Sequence, residues 1–397
     1  MRLLKFPARA AVRPATRPVS VCFVIDRLSR AGTESQLLAL IRHFDRERVR
    51  PSLCLLDGRD AESRRLLPTD CPTLDLKLPR LMSPAMPAAA ARLAAFWRRH
   101  RADVVQTYFL DSTYFAVPLA RLGGIRHVVR VRNNTGYWLT PRHRRLGRVV
   151  GRLAQTTLTN SDDARRAVTA AEGLRRDRVR VIGNGVDLGR FGHRRVPDTG
   201  GAVVRIGTIA NLRPVKNIDG LIRVAADICR DDDRVRFEVA GDGDQRAALQ
   251  AQIEAAGLAK RFELRGSVAD VPALLAELDV VVLPSHSESM SNALLEYMAA
   301  GRAIVATDVG SASRLVRNGR EGFIVPAGDD RALAAAIRRF LEDPSLARQF
   351  GAAARQRVEM EFDLRTMVRR FEAFYESVTR KPPAGGPRAG WASYADS

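Results

Sequence analysis

The chain has 397 residues, of which 46% are hydrophobic and 27% are charged, a composition typical of folded globular proteins. This length is sufficient for two domains of ordinary size, each with its own core. The net charge of +21 is unusual, and no apolar run in the sequence is long enough to span a bilayer as a helix.

The N-terminal segment 1–19 is basic and lacks the apolar stretch of a secretory signal, so we predict a flexible lead, with a transit peptide as the alternative. The cysteines show neither paired nor metal-ligand spacing; they are Cys22, Cys54, Cys71 and Cys229. This pattern is typical of free thiols in a reducing compartment and favours a cytoplasmic location.

Residues 20–185 are predicted to form one domain in which strands and helices alternate. The buried strand VCFVID at 21–26 leads through a loop containing Gly32 into the helix ESQLLALIRHF. Further strands are predicted at PSLCLL, TLDLKL, DVVQTYF, HVVRVRN, LAQTTLTNS and VRVIGNG, with helices between them. Such alternation predicts a doubly wound parallel sheet, and Gly32 would let a ligand approach the backbone closely.

The segment RHRRLGRVVGR is the densest basic cluster and contains no acid; its arginines are Arg142, Arg144, Arg145, Arg148 and Arg152. We interpret it as a surface for an anionic membrane or an anionic acceptor. The alternative is an ordinary solvated helix face in an arginine-rich chain. The sequence has no aromatic-interleaved basic patch and no nucleic-acid motif, so no nucleic-acid partner is predicted.

A segment rich in Gly, Pro and polar residues, 186–202, predicts a linker between domains. The alternation then restarts, and 203–361 is predicted to form a second Rossmann-like domain. A last helix is predicted at 362–379, followed by a tail at 380–397 with a disordered composition. The acidic run 231–233 is interpreted as a solvated turn, against the alternative of a metal-binding motif.

The stretch 278–307 is the strongest candidate for a functional site. It predicts a buried strand, LDVVVLP, a short polar loop, a helix, NALLEYMAA, and a further strand, AIVAT. Ser289 and Ser291 are candidate N-caps of the helix. A helix that starts directly after a parallel strand points free N–H groups at the sheet edge where phosphates bind. Glu288 and Glu296 could hold hydroxyl groups beside those phosphates.

Several segments follow one another in the order and spacing of a known family. They include GTIANLRPVKNIDGLI, FEVAGDGDQRAAL, the stretch with Glu288 and Glu296, NGREGFIVPAGD and, earlier, RAGTESQLLAL, LTNSDDARRAV and VIGNGVDLGRF. In these the chain resembles the retaining glycosyltransferases of family 4 (group 1), which have the GT-B fold. The resemblance implies an α/β architecture of two Rossmann-like doubly wound parallel-sheet domains that face each other across a cleft. The N-terminal domain would bind the acceptor and the C-terminal domain the nucleotide-sugar donor.

The resemblance also implies roles for individual residues. Lys216 would stabilise the donor's diphosphate as it leaves, and Glu288 would hold the transferred sugar; these are the predicted catalytic residues. Glu296 would bind the ribose hydroxyls. The remaining predicted donor contacts are Gly32, the backbone at Met290 and Ser291, and the base-reading backbone at Ser267 and Val268. The structural alternatives are that Lys216 is an ordinary surface lysine, that Glu288 only interacts with the N-terminal end of the following helix, and that Glu296 is an exposed helix acid.

The sequence also departs from the family pattern. Asn211 stands where many members have a phosphate-binding arginine, and we predict that Arg213 compensates and that both contact the donor. Arg132 or Asn133 is predicted on the sugar or acceptor side, at a position where many members have histidine.

These expectations predict a metal-independent retaining glycosyltransferase that needs no cofactor beyond its co-substrate, a UDP- or GDP-sugar. Its acceptor would be a saccharide or a lipid-linked hydroxyl or amine, in the synthesis of polysaccharide, glycolipid or cell envelope. It would be cytoplasmic or peripheral at the inner face of the membrane. The alternatives are a GT-B nucleotide-sugar epimerase or hydrolase, and a non-catalytic polyanion-binding protein.

Overall fold

The computed structural model describes residues 17–133, 136, 140–192 and 197–379. The predicted tail and almost all of the predicted N-terminal lead lie outside these residues, as does part of the predicted linker. In the part of the chain that the structure describes, no helix combines the length and apolarity that a membrane span needs.

The first sheet has seven strands in the order β3-β2-β1-β4-β5-β6-β7. Its strands are β1 (Val19–Ile25), β2 (Val49–Leu55), β3 (Thr73–Asp75), β4 (Val104–Thr107), β5 (His127–Val131), β6 (Thr156–Thr159) and β7 (Val179–Val181). The intervening helices are α1 (Gly32–His43), α2 (Ala61–Leu66), α3 (Met86–Arg99), α4 (Leu110–Leu122), α5 (Pro141–Leu153) and α6 (Asp162–Glu172). The strand predicted at TLDLKL is shorter than expected: it ends at Asp75, and Lys77 has a left-handed conformation with φ of 57°.

The second sheet has six parallel strands in the order β10-β9-β8-β11-β12-β13. Its strands are β8 (Val204–Ile209), β9 (Val235–Ala240), β10 (Phe262–Gly266), β11 (Val280–Leu283), β12 (Ala303–Thr307) and β13 (Gly322–Val325). The helices are α7 (Ile218–Asp231), α8 (Arg246–Ala255), α9 (Val271–Glu277), α10 (Asn292–Ala299), α11 (Ala312–Leu315), α12 (Asp330–Glu342), α13 (Pro344–Glu361) and α14 (Leu364–Thr379). The predicted fold class, two doubly wound parallel sheets, is confirmed.

Strand burial explains the apolar runs of the second sheet. Every residue of β11 and β12 is buried, as expected for central strands that are covered by helices on both faces. Helix α7 buries one face, with Ile218, Leu221 and Ile228 in the core. Burial of each such side chain contributes about 1.5–3 kcal/mol.

The strand order reverses between β8 and β11, which are neighbours in the sheet although two strands separate them in sequence. Such a switch point leaves a crevice at the carboxyl ends of the two strands, where ligands of doubly wound sheets bind. The loops that follow β8 and β11 leave the sheet at this point.

The described chain forms two compact units. One comprises the described residues of Met1–Ser29, Ile41–Val129 and Arg370–Ser397, and the other comprises Arg30–Leu40 and the described residues of Arg130–Arg369. Within the first unit, Tyr375 of α14 donates a hydrogen bond to Oε1 of Gln106 (2.9 Å) and packs edge-on against Phe23 and Phe44. The units are divided at other positions than the predicted domains, whose boundaries remain a prediction.

Candidate active site

An ion pair lies at the switch point of the second sheet. The Nζ atom of Lys216 is 2.5 Å from Oε1 of Glu288, and Ser285 donates a hydrogen bond to the same oxygen (2.9 Å). Both charged side chains are largely but not fully buried, with 23% of Lys216 and 13% of Glu288 exposed. The sequence analysis selected both residues, and the structure brings them into direct contact.

Backbone geometry fixes Lys216 in this position. Lys216 ends a short 3₁₀ turn, and the next residue, Asn217, has a left-handed conformation with φ of 52°. The Asn217 side chain donates to the carbonyl of Pro284 (3.1 Å), and His286 N–H donates to the carbonyl of Val215 (2.8 Å). The loops after β8 and β11 are therefore tied together at two points, and the ion pair is held without help from a ligand.

Two glycines allow the loop after β8 to lie against its neighbour. A Cβ atom at Gly241 would lie 1.9 Å from the carbonyl oxygen of Ala210, and one at Gly243 would lie 2.5 Å from that of Leu212. Both contacted atoms belong to the backbone, so neither can move aside as the end of a flexible side chain could. The sequence GDG after β9 therefore has a steric role in supporting the loop that carries Lys216.

Helix α10 begins beside the ion pair. Ser291 is its N-cap and accepts a hydrogen bond from the N–H of Leu294 (3.4 Å), as predicted. The prediction that Ser289 could also cap the helix is wrong. Its hydroxyl donates to Oδ1 of Asn160 (2.6 Å) and lies 2.8 Å from the hydroxyl of Ser161, so it links α10 to the start of α6.

Met290 is buried by the loop 183–184. Its sulfur accepts a hydrogen bond from the backbone N–H of Asn184 (3.1 Å), and a Cβ atom at Gly183 would lie 3.3 Å from that sulfur. Only 9% of Met290 is exposed. The side chain therefore serves packing, which leaves the predicted donor contact to its backbone.

Asn292, the first residue of α10, is a site residue that the sequence analysis did not select. Its amide donates to the carbonyl of Gly32 (3.0 Å) and accepts from the side chains of Asn184 (2.7 Å) and Gln36 (3.2 Å). A Cβ atom at Gly32 would lie 2.6 Å from Nδ2 of Asn292, so the close approach predicted at this glycine is made here by a side chain. No local sequence signal marks these partners, which lie far apart along the chain.

Glu296 lies one turn further along α10, and its carboxyl is mostly buried. Desolvation raises its pKa from 4.5 to about 7, against a smaller lowering by the guanidinium of Arg190. The neighbouring Tyr297 hydroxyl accepts a hydrogen bond from the N–H of Ile209 (2.7 Å), which fixes α10 to the end of β8. Carboxyl groups with a raised pKa are frequent among binding and catalytic residues.

Comparison with known proteins identifies the family. The family model described as Glycosyl transferases group 1 matches residues 200–357, and the model described as Glycosyltransferase Family 4 matches residues 30–190. Together the two models cover most of the chain. The chain belongs to the group 1, family 4 glycosyltransferases.

Two curated relatives illustrate the range of this glycosyltransferase family. A glycogen synthase of Mycobacterium tuberculosis is 31% identical over 241 residues, which is 60% of this chain and 58% of the relative. The lipopolysaccharide core biosynthesis mannosyltransferase LpcC of Rhizobium leguminosarum is 30% identical over 212 residues, which is 50% of this chain and 59% of the relative. The matches thus span less than two thirds of either relative.

Among solved structures, HepE of Anabaena in complex with UDP matches with a TM-score of 0.77. The match covers 90% of this glycosyltransferase chain and 100% of HepE at 22% sequence identity. Identity this low supports the shared fold alone. The same protein has also been solved in complex with UDP-glucose.

The remaining predicted donor residues of this glycosyltransferase lie on the same sheet edge. Asn211 and Arg213 are exposed in the loop after β8, and Ser267 and Val268 follow β10, with Ser267 exposed and Val268 half-buried. Their roles toward a donor stay predictions. Within the described ranges, no group of three or more His, Cys, Asp or Glu side chains is arranged to hold a metal ion.

The residues predicted on the acceptor side are placed differently from each other. Asn133 is half-buried, whereas only 6% of Arg132 is exposed, and its guanidinium lies 3.4 Å from the carboxylate of Glu172. Glu172 also forms a buried ion pair with Arg130. This packing gives Arg132 a structural function; a contact with an acceptor stays a prediction.

The basic cluster forms helix α5. Thr140 caps its N-terminus by accepting from the N–H of His143 (3.3 Å), and the arginines predicted as a membrane-surface patch are all exposed; these are Arg142, Arg144, Arg145, Arg148 and Arg152. The structure thus gives the helix that the sequence predicted and places its arginines in solvent.

Proposed function

We propose that this protein transfers a sugar from a nucleotide-diphosphate sugar to an acceptor hydroxyl or amine, with retention of anomeric configuration. The observation that carries the proposal is the Lys216–Glu288 pair at the switch point, with Glu296 on the helix that follows. Membership of a glycosyltransferase family supports the reaction class. The complexes of HepE with UDP and UDP-glucose support a UDP-sugar as the first donor to test, ahead of a GDP-sugar.

Lys216 would act on the leaving group. As the glycosidic bond breaks, negative charge grows on the departing diphosphate, and a fixed ammonium group favours that charge more than it favours the ground state. Removal of one such preorganised donor costs about 3–4 kcal/mol of barrier in enzymes that rely on it. The ion pair with Glu288 and the tied loops keep Lys216 in place before the donor arrives.

Glu288 would act as an electrostatic group. Its carboxylate is already engaged by Lys216 and by the Ser285 hydroxyl, which limits its freedom to attack an anomeric carbon. A negative charge beside the transferred sugar would favour the positive charge that develops there. We therefore propose attack by the acceptor on the same face as the departing phosphate, with no covalent intermediate and no metal.

The acceptor proposed here is a saccharide or a lipid-linked saccharide of a polysaccharide, glycolipid or envelope pathway. The glycogen synthase and the lipopolysaccharide core mannosyltransferase among the relatives support acceptors of this chemical class. We place the reaction in the cytoplasm, which the four free cysteines support.

Calorimetry with UDP, GDP and ADP tests the donor site. We expect one diphosphate to bind, and Lys216→Ala and Glu296→Ala to weaken it, whereas the exposed controls Lys260→Ala and Glu254→Ala do not. Incubation of the matching nucleotide sugar with saccharide acceptors, with and without a chelator, then tests transfer. The anomeric configuration of the product, read by NMR, tests retention. Absence of binding by every nucleotide, or turnover of donor without transfer, would refute the proposal.

A further inference from the structure

Helix α5 packs on the protein through one narrow face. Its buried residues are Gly147, Val150 and Gly151, and the helix ends at the buried Ala154. A Cβ atom at Gly151 would lie 2.7 Å from a guanidinium nitrogen of Arg130, and one at Gly147 would lie 3.0 Å from a carboxylate oxygen of Glu172. Each glycine inside a helix lowers the stability of the helix by roughly 1 kcal/mol. Close packing on the ion pair of Arg130 and Glu172 offsets this loss.

Beside this buried face, α5 carries apolar side chains that are partly in solvent. The exposed fractions are 44% for Leu146, 55% for Val149 and 38% for Leu153. The spacing of these residues, three and four along the helix, places them in one stripe. An amphipathic surface helix normally turns such a stripe toward the core. Here the stripe lies on one flank of the buried face and is only partly covered.

Arginines border this apolar stripe. Arg145, Arg148 and Arg152 share the adjacent side of α5, and the helix contains no acidic residue. The basic surface extends past the helix, because the guanidinium of Arg178 donates to the carbonyl of Arg152 (3.3 Å). Elsewhere in this half of the chain many surface arginines pair with acids, as Arg166 does with Asp163.

We propose that the exposed face of α5 is a docking surface for an anionic lipid bilayer. An apolar stripe bordered by arginines matches the boundary of such a bilayer, where acyl chains lie just below negatively charged headgroups. Nucleic acid would satisfy the arginines but would leave Leu146, Val149 and Leu153 in water. A bilayer would contact the arginines with its headgroups and the apolar stripe with its acyl chains. This proposal goes beyond the sugar-transfer reaction and does not depend on it.

The test is co-sedimentation of the full chain with vesicles. We expect binding to vesicles of equal parts phosphatidylcholine and phosphatidylglycerol, and none to phosphatidylcholine alone. The triple variant R145Q/R148Q/R152Q should weaken binding about 100-fold, since each arginine near an anionic surface contributes about a factor of five. The variant L146S/V149S/L153S should weaken it at least about tenfold although its charge is unchanged.

Two control variants match these changes elsewhere on the surface. R98Q/R99Q/R121Q removes the same charge from α3 and α4, and M82S/M360S removes two methionines that are 98% and 66% exposed. Both should bind vesicles as the wild type does. Melting temperatures of the arginine and methionine variants should match the wild type, because those side chains are exposed. L146S/V149S/L153S, whose side chains are 38–55% exposed, is compared with the wild type at a temperature well below its own melting point.

Three outcomes would overturn the proposal. Equal loss in R98Q/R99Q/R121Q would mean that net charge alone drives binding. Full binding by L146S/V149S/L153S would mean that the apolar stripe does not enter the bilayer. Binding of a single-stranded RNA as tight as that of the vesicles, with loss in the arginine variant alone, would identify a polyanion surface. UDP calorimetry on the same preparations reports the donor site separately, so failure of one proposal does not affect the other.

Discussion

Titration of Glu296 should control donor affinity. The carboxyl is mostly buried on α10 and has a pKa of about 7, so it changes charge within the range in which the protein can be handled. An ionised carboxylate accepts stronger hydrogen bonds from ribose hydroxyls than a neutral acid does. We therefore expect UDP-glucose to bind more tightly as the pH rises through 7, and binding to lower the pKa of Glu296.

The size of the effect follows from that pKa. A group with a pKa of about 7 is ionised in roughly one molecule in eleven at about pH 6, and in roughly ten in eleven at about pH 8. If only the carboxylate form binds ribose, the association constant rises about tenfold across this interval, or about 1.4 kcal/mol. The unliganded protein should show the opposite trend.

That opposite trend concerns stability. The folded state raises the pKa of Glu296 from 4.5 to about 7, so it holds a proton that the unfolded chain has lost. The resulting stabilisation is complete below about pH 4.5 and is lost as the pH rises through about 7, and it amounts to at most about 3 kcal/mol. Urea unfolding of wild type and Glu296→Gln, compared at several pH values, isolates this contribution of one carboxyl.

Calorimetry with UDP-glucose is the appropriate binding assay. UDP carries a terminal phosphate that itself titrates near pH 6, whereas both phosphates of UDP-glucose are substituted and keep their charge. Glu296→Gln is the matched control, because it keeps the side-chain size and cannot ionise. Its binding should not vary with pH. A flat profile for the wild type, or the same slope in the variant, would refute the assignment of Glu296 to the ribose.

The remaining predictions concern catalysis and packing. Lys216→Ala should lower the turnover number about 100- to 1,000-fold in a transfer assay, whereas the exposed control Lys260→Ala should leave it unchanged. Gly241→Ala should lower the free energy of unfolding in urea by about 3 kcal/mol or more, because the new Cβ would meet a backbone carbonyl at 1.9 Å. The control Gly257→Ala should lower it by only about 1 kcal/mol, because Gly257 has a left-handed φ of 70° but open space around it. Glu172→Ala should lower the free energy of unfolding by about 3–5 kcal/mol in the same assay, because it leaves two buried guanidinium groups without their carboxylate. A loss under about 1 kcal/mol would show that the ion pairs of Glu172 do not stabilise the fold.

The sequence predicted the stretch with Glu288 and Glu296 from local information, whereas Lys216 was selected through the family resemblance. An apolar run, a polar loop with Ser291 and a helix predict a strand followed by an N-terminal helix end. Alternation of strands and helices then predicts which loops share a sheet edge. Lys216 and Glu288 lie in such loops, after neighbouring strands β8 and β11, so their contact follows from the topology.

Other parts of the site could not be predicted, because they depend on partners far along the chain. Arg132 was predicted on the sugar or acceptor side from its position in the family pattern, and only the fold brings the Glu172 carboxylate to it. Ser289 has the sequence context of a helix cap, yet Asn160 offers its hydroxyl an acceptor at 2.6 Å. No feature of the sequence around Asn292 predicts a site residue, because its contact with Gly32 is formed only in the folded chain.

Helix α5 shows how the choice of a buried face sets a surface property. Its sequence would allow the apolar residues at 146, 149, 150 and 153 to pack inward together. The buried pair of Arg130 and Glu172 instead favours the two glycines Gly147 and Gly151 beneath it, because a Cβ atom at either position would crowd the guanidinium or the carboxylate. Packing on this polar pair fixes the rotation of the helix and turns Leu146, Val149 and Leu153 outward. The exposed stripe is therefore a consequence of how the protein buries an ion pair.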